Sequence, residues 1–312
     1  CIDRYLAEKI PIAYWWMDAG WYPCAPEGWP KTGTWEVDAK RFPNGLRAIS
    51  DHAHAKGVKT ILWFEPERVH AGTWLTEKHP EWVLGGAGGG LLNLGNPEAA
   101  KWLTDHVDRL LTDQGIDLYR QDFNMDPLSF WQKNDAEDRQ GITENHHVTG
   151  YLAYWDELCR RHPNMLIDSC ASGGRRNDLE TMRRAVPLLR SDYIMEPVGN
   201  QGHTYGLSLW LPFQGTGTGS RELSPYLLRS TLVTHFTACF DVRRKDLDYA
   251  ITDTSGLFTM TVLALKLAAG GIGLALLETA SAKMRIFRVP EFLATAFLLA
   301  VIGLLVHILL GR

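Results

Sequence analysis

Cysteine is scarce in this 312-residue chain: there are five, at positions 1, 24, 159, 170 and 239. The count is odd, no pair reads Cys-x-x-Cys, and the spacings fit no metal motif. Mostly reduced thiols in a reducing compartment are expected. A basic excess is also lacking. Lys and Arg number 32 against 36 Asp and Glu, a net charge of -4, so no positive field invites nucleic acid. Hydrophobic residues at 45% and charged residues at 22% exclude disorder as the default. An initiator Met and a signal-peptide pattern are missing too. The chain opens on Cys1-Ile2-Asp3-Arg4, which reads as the middle of a helix.

What the chain has in quantity is tryptophan: 12 residues, all of them before position 211. A flat indole stacks on the apolar face of a pyranose, but it also fills cores, and both readings stand for each one. Up to about residue 250, short apolar runs alternate with longer amphipathic stretches. The strand candidates are Ile12–Asp18, Lys59–Phe64, Leu118–Asp122, Met165–Ser169, Leu188–Asp192, Leu207–Pro212 and Ala238–Val242. Helix-like segments Leu46–Lys56, Glu98–Thr112 and Thr149–Arg161 lie between them, with Pro97 near a start and Gly57 and Gly115 just past ends. Such alternation predicts a parallel sheet with helical crossovers. Seven strands favour a (β/α)8 barrel over a small doubly wound sheet. The barrel is one strand short, and that strand is expected before Cys1.

Catalytic residues of such barrels sit at the C-terminal ends of strands. Those ends give Asp18, Trp63, Glu65, Asp122, Asn124, Cys170, Asp192 and Asp241. A single acidic residue closing an apolar run is usually a cap or an ion pair. Several at successive strand ends converge on one mouth, and two carboxylates across a mouth are what glycoside hydrolysis needs.

Five stretches make the pattern specific: Trp16-Met-Asp-Ala-Gly-Trp21, Arg41-Phe-Pro-Asn-Gly-Leu46, Leu62-Trp-Phe-Glu-Pro-Glu67, Arg120-Gln-Asp-Phe-Asn124 and Asp168-Ser-Cys-Ala-Ser-Gly-Gly174. In this order they resemble glycoside hydrolase family 36, the bacterial α-galactosidases and their relatives. The resemblance covers about residues 1–249. It implies a retaining mechanism on terminal α-linked galactose, with Asp122 as nucleophile and Asp192 as general acid/base. It also implies no metal or organic cofactor and a cytoplasmic barrel. For binding the sugar it implies Asp18, Trp21, Trp63, Arg120, Asn124, Cys170, Gly173 and Arg176. Trp21 and Trp63 are the expected stacking or edge contacts. Cys170 and Gly173 are expected near the sugar's 2-position, although a buried apolar role is the commoner fate of Cys. The sequence departs from the family's pattern in two places. Ala19 replaces one carboxylate, and Arg120 replaces a Lys with a planar fork.

After residue 250 the composition changes. Gly256–Leu277 contains one charge, Lys266, and Phe292–Leu310 contains none, only His307. Each run is long enough to span a bilayer as a helix, so residues 250–312 are expected to be two transmembrane helices. A pair of buried helices is the alternative. Lys283, Arg285 and Arg288 between them would face the cytoplasm. The segment Glu278–Phe292 with the following apolar run resembles the end of quinone oxidoreductase subunit 1, including the formate hydrogenlyase membrane subunit. A chimaeric reading frame joining near Tyr249–Ile251 is expected, and a membrane subunit fragment is the alternative to a glycosidase.

Overall fold

A computed structural model describes residues 1–194, 196–211, 213–218, 225–231 and 233–244. The chain divides into two units at Asp253–Thr254, and all described residues belong to the first. The expected apolar runs at 256–277 and 292–310 lie outside the described residues. Among the described residues no helix is long and apolar enough to cross a membrane.

Helix α1 (Ile2–Ala7) leads into strand β1 (Tyr14–Met17). Then follow α2 (Arg47–His54), β2 (Lys59–Phe64), β3 (Arg68–His70), α3 (Trp74–Lys78), β4 (Val83–Leu84), β5 (Gly89–Leu92) and α4 (Pro97–Gln114). Next come β6 (Leu118–Gln121), α5 (Leu128–Asn134), α6 (Ile142–Arg161), β7 (Leu166–Ser169), α7 (Leu179–Met182), α8 (Pro197–Leu207), β8 (Gly215–Gly217), α9 (Pro225–Ser230) and β9 (His235–Thr237). Strands β1, β2, β6 and β7 form one parallel sheet in that order, in register through Trp16↔Ile61, Ile61↔Leu118 and Leu118↔Leu166. The sheet continues through the extended segment 186–190. Asp168 bridges Val186 in parallel, Gly215 N–H donates to the Pro187 carbonyl, and Arg190 N–H donates to that of Gly215. Strand β8 then pairs β9 in parallel. This succession of seven parallel runs with helical crossovers is barrel-type architecture. The antiparallel trio β3-β5-β4 is inserted after β2.

The chemistry of the chain explains these elements. Every residue of β2 except Lys59 is buried, as a strand covered on both faces requires. Helix α4 starts where the Asn96 side chain accepts from the Glu98 and Ala99 N–H groups, with Pro97 at the first helical position. It stops at Gly115, whose φ of +65° is open chiefly to glycine. Alternation sorts the sheet into two faces. Leu62, Phe64, Tyr119 and Ile167 pack with Leu103 and Val107 of α4 and with Tyr154, Trp155 and Leu158 of α6. On the other face Ile61, Leu118 and Leu188 form a separate cluster with Tyr14, Trp16 and Val186. Two residues further along that face come Asp18, Trp63 and Arg120, and two more reach Asp122. The barrel's interior stripe therefore delivers the polar residues to its mouth.

The first four expected strands are present, and the later ones need correction. Leu207 closes α8, because the Glu196 side chain caps Val198 and Gly199 and Pro197 starts a helix. The strand lies beyond, at Gly215–Gly217, where an apolar pattern gives no signal. The last strand is His235–Thr237 rather than Ala238–Val242. The run expected at Leu188–Asp192 bonds on both sides, but Pro187 lacks an N–H and regular pairing stops there.

Candidate active site

Asp122 follows β6 directly and is buried. Its two carboxylate oxygens each accept two hydrogen bonds. Oδ1 receives Phe123 N–H at 2.7 Å and Ser172 N–H at 3.1 Å. Oδ2 receives Asn124 Nδ2 at 2.8 Å and Trp63 Nε1 at 3.2 Å. Burial alone would push its pKa up. The bond from Asn124 and the positive charge of Arg120 outweigh burial and hold Asp122 below the ordinary carboxylate range.

Asp192 is exposed and lies in the opposite electrostatic situation. Partial desolvation raises its pKa, the negative charges of Asp122 and Asp18 raise it further, and Arg120 opposes them. One loop connects the two carboxylates. Ser172, with φ at +46°, gives its N–H to Asp122, and Gly173 follows at φ +85°. A Cβ on Gly173 would stand 3.1 Å from the Asp192 nitrogen and 3.3 Å from Ser191 Cα. Glycine at 173 thus lets the two strand ends approach.

Arg120 is buried, pairs with Asp168 and lies with its guanidinium carbon 4.3 Å from the centre of the Trp16 ring. The charge of Arg120 is felt at Asp122, Cys170 and Asp192, which puts it at the centre of the mouth. Among the described residues its Nε has no hydrogen-bond partner. Burial pushes the Cys170 thiol up, so it stays protonated beside Asp122. Asn124 is held by Glu65, which accepts its N–H while pairing both carboxylate oxygens with Arg68.

Three expected residues are enclosed or engaged by other protein groups. Trp21 is 2% exposed, packs against Tyr22, Trp35 and Phe64, and donates Nε1 to the Trp63 carbonyl at 2.8 Å. Trp63 is equally buried and spends its indole N–H on Asp122. Neither ring offers a free face. The exposed indole nearby is Trp29, 46% exposed and edge-on to Trp63 at 6.2 Å. Arg176 forms two bonds to Glu67 and lies over both Phe123 and Tyr151, at 4.4 and 4.2 Å. Glu67 is fully buried and also accepts from His147 Nε2 at 2.8 Å and Gln121 Nε2 at 2.7 Å. Burial would raise its pKa, but Arg176 and His147 bring it down to about 2. Gln121 in turn accepts from Trp155 Nε1 and Tyr119 OH. This network braces β6 one residue before Asp122. Asp241 is paired with the neighbouring Arg243. Among the described residues no cluster of His, Cys, Asp or Glu is arranged to hold a metal.

Sequence reasoning missed Ser172 and Trp16. Ser172 lay within the Cys170–Gly174 stretch, and its signal was the turn itself. Trp16 was readable as the residue two before Asp18, on the same strand face.

The Melibiase family model matches residues 5–221, more than half of the chain. The chain belongs to this family. Melibiase relatives include the α-galactosidase of Lactobacillus acidophilus, 28% identical over 227 residues, 70% of this chain and 31% of that protein. The Escherichia coli α-galactosidase is 28% identical over 198 residues, 60% of this chain and 27% of that protein. The chain therefore spans about a third of the length of these melibiase relatives. Among solved structures, the α-galactosidase of Lactobacillus brevis superposes with a TM-score of 0.69 at 21% identity. That match covers 86% of this chain and 37% of the other. A variant of α-galactosidase AgaA from Geobacillus stearothermophilus, in complex with raffinose, gives 0.68 at 21% identity, over 80% and 37%. At this identity the structural matches establish the shared barrel-type fold.

Proposed function

We propose that residues 1–249 form the catalytic barrel of a retaining α-galactosidase, with residues 250–312 a separate segment of different origin. The observation that carries the reading is the opposed setting of two carboxylates at one mouth. Asp122 is held ionised by four donors, and Asp192 is pushed towards its protonated form. Tuning two carboxyl groups apart in this way separates a nucleophile from an acid.

In the first step Asp122 attacks the anomeric carbon while Asp192 gives its proton to the departing glycosidic oxygen. A covalent glycosyl-enzyme forms and the aglycone alcohol leaves. In the second step Asp192, now a carboxylate, takes a proton from water, which attacks the same carbon and frees Asp122. Arg120, Asp18, Asn124, Cys170 and Gly173 surround the sugar in this reading. Arg176 supports the floor of the site through Glu67. The α-galactosidases of Lactobacillus acidophilus and Escherichia coli and the raffinose and stachyose complexes of AgaA support a terminal α-galactoside as substrate.

The test is hydrolysis of a nitrophenyl α-galactoside by the full chain and by Asp122→Ala, with the first-formed sugar anomer followed by NMR. Release of the α-anomer, lost in the variant by at least about a thousandfold, is expected. The β-anomer as first product, or full activity in the variant, would refute the mechanism.

A further inference from the structure

Arg190 is 1% exposed and precedes Asp192 by two residues. Its guanidinium is held by neutral acceptors. Nη1 donates to Gln214 Oε1 at 2.9 Å. Nη2 reaches the Asn200 carbonyl at 2.7 Å, Asn200 Oδ1 at 2.6 Å and Thr204 Oγ1 at 2.7 Å. Among the described residues no carboxylate pairs with it, and desolvation lowers its pKa to about 10. An arginine buried without a counter-ion is costly unless hydrogen bonds replace its hydration. Such a group calls for an explanation.

The partners supply one. Asn200 and Thr204 belong to α8, which begins five residues after Asp192. Gln214 precedes β8, and Asn200 Oδ1 also accepts from Thr216 of that strand. The Arg190 backbone N–H bonds to Gly215, and its carbonyl accepts from Asn177 Nδ2. One side chain thus joins the segment leading into Asp192, the helix leading out of it and the neighbouring strand. Between them Ile194 N–H closes a turn onto the Asp192 carbonyl at 3.0 Å. Among the described residues no hydrogen bond holds the Asp192 carboxyl itself. Its aim is therefore set by its backbone.

We propose that Arg190 is the positioning residue that aims Asp192 at the leaving oxygen, by clamping the chain on both sides of it. The inference rests on the reading of Asp192 as the general acid. Lysine would keep the charge but not the planar fork that reaches α8 and Gln214 at once.

Proton donation matters most for poor leaving groups, so the test varies the leaving group. The readout is kcat/KM, which covers steps only through cleavage of the glycosidic bond. For Arg190→Met we expect a fall of about 10–100-fold on methyl α-galactoside, part of the roughly 10²–10⁴-fold that general acid catalysis supplies. On 2,4-dinitrophenyl α-galactoside, which needs little proton assistance, the fall should stay within about threefold. Arg190→Lys should lie between wild type and Arg190→Met, and Asp192→Ala should show the same selectivity in stronger form. Thr204→Val removes one acceptor and gives a milder version should Arg190→Met fail to fold. Equal losses on both substrates in every Arg190 and Thr204 variant, with Asp192→Ala still selective, would overturn the role of Arg190 alone. Absence of selectivity in Asp192→Ala would overturn the reading of Asp192 and this inference with it.

Discussion

Replacing Arg176 by Met separates a structural role from a sugar-binding one. The substitution keeps much of the aliphatic stem over Phe123 and Tyr151 but removes both bonds to Glu67. Glu67 then stays fully buried with only His147 and Gln121 as partners. Breaking a buried ion pair by removing one member costs about 3–5 kcal/mol. The titration of Glu67 gives a similar magnitude. Its pKa falls from 4.5 to about 2, which corresponds to roughly 3 kcal/mol at neutral pH. For a unit of this size that is about 6–20 °C in Tm. The sign follows from the depressed pKa. The contribution is complete above the unfolded glutamate pKa and disappears as pH falls through 4.5 towards about 2. The gap in Tm between wild type and Arg176→Met should therefore be widest near pH 7 and narrow below pH 4. Calorimetry at fixed scan rate across that range is the assay, with KM for an α-galactoside measured well below the variant's Tm. A raised KM with unchanged Tm would refute the placement and return Arg176 to the sugar.

Two further expectations concern the mouth. Asn124→Ala removes a donor to Asp122 that favours the ionised form, so the pKa of Asp122 should rise. The acid limb of the kcat/KM profile should move to higher pH; an unmoved limb would separate Asn124 from the proposed nucleophile. Gly173→Ala forces a side chain into φ +85° and against the Asp192 backbone, at about 1–2 kcal/mol of strain. Its kcat/KM should fall about 10–100-fold through misplacement of Asp192 while Tm drops only a few degrees. Activity unchanged within twofold would show that the loop tolerates the methyl group.

The strand-end positions of Asp122 and Asp192, the proposed catalytic pair, were legible because each Asp ends an apolar run, and a period of two carries the interior stripe onto it. β2 and α4 were legible for related reasons: a continuous apolar run in one, an Asn-Pro start and a Gly stop in the other. Arg176 was not, since its partner Glu67 lies 109 positions away and nothing local announces the pairing. Trp21 and Trp63 were expected as stacking or edge contacts to the sugar, and composition does not reveal that both indoles are enclosed. Strands β8 and β9 escaped because Gly-Thr-Gly and His-Phe-Thr carry no periodic apolar signal, whereas the apolar stretch from Leu207 to Leu211 ends a helix. Arg190 read as an ordinary polar residue beside Asp192, because its acceptors come from another helix and strand.

If the proposed mechanism holds, the loop that carries Ser172 and Gly173 has a consequence for how the barrel changes over evolutionary time. It touches Asp122 with one residue and the Asp192 backbone with the next, so the gap between the two proposed catalytic carboxylates depends on this loop as well as on the segments that carry them. Retention needs a gap of about 5–5.5 Å, whereas inversion needs room for a water and about 6.5–9.5 Å. An insertion of one residue at 172–173 would alter that gap while leaving both acids in place. On the proposed mechanism, the stereochemical outcome would thereby be exposed to drift at a position that performs no chemistry.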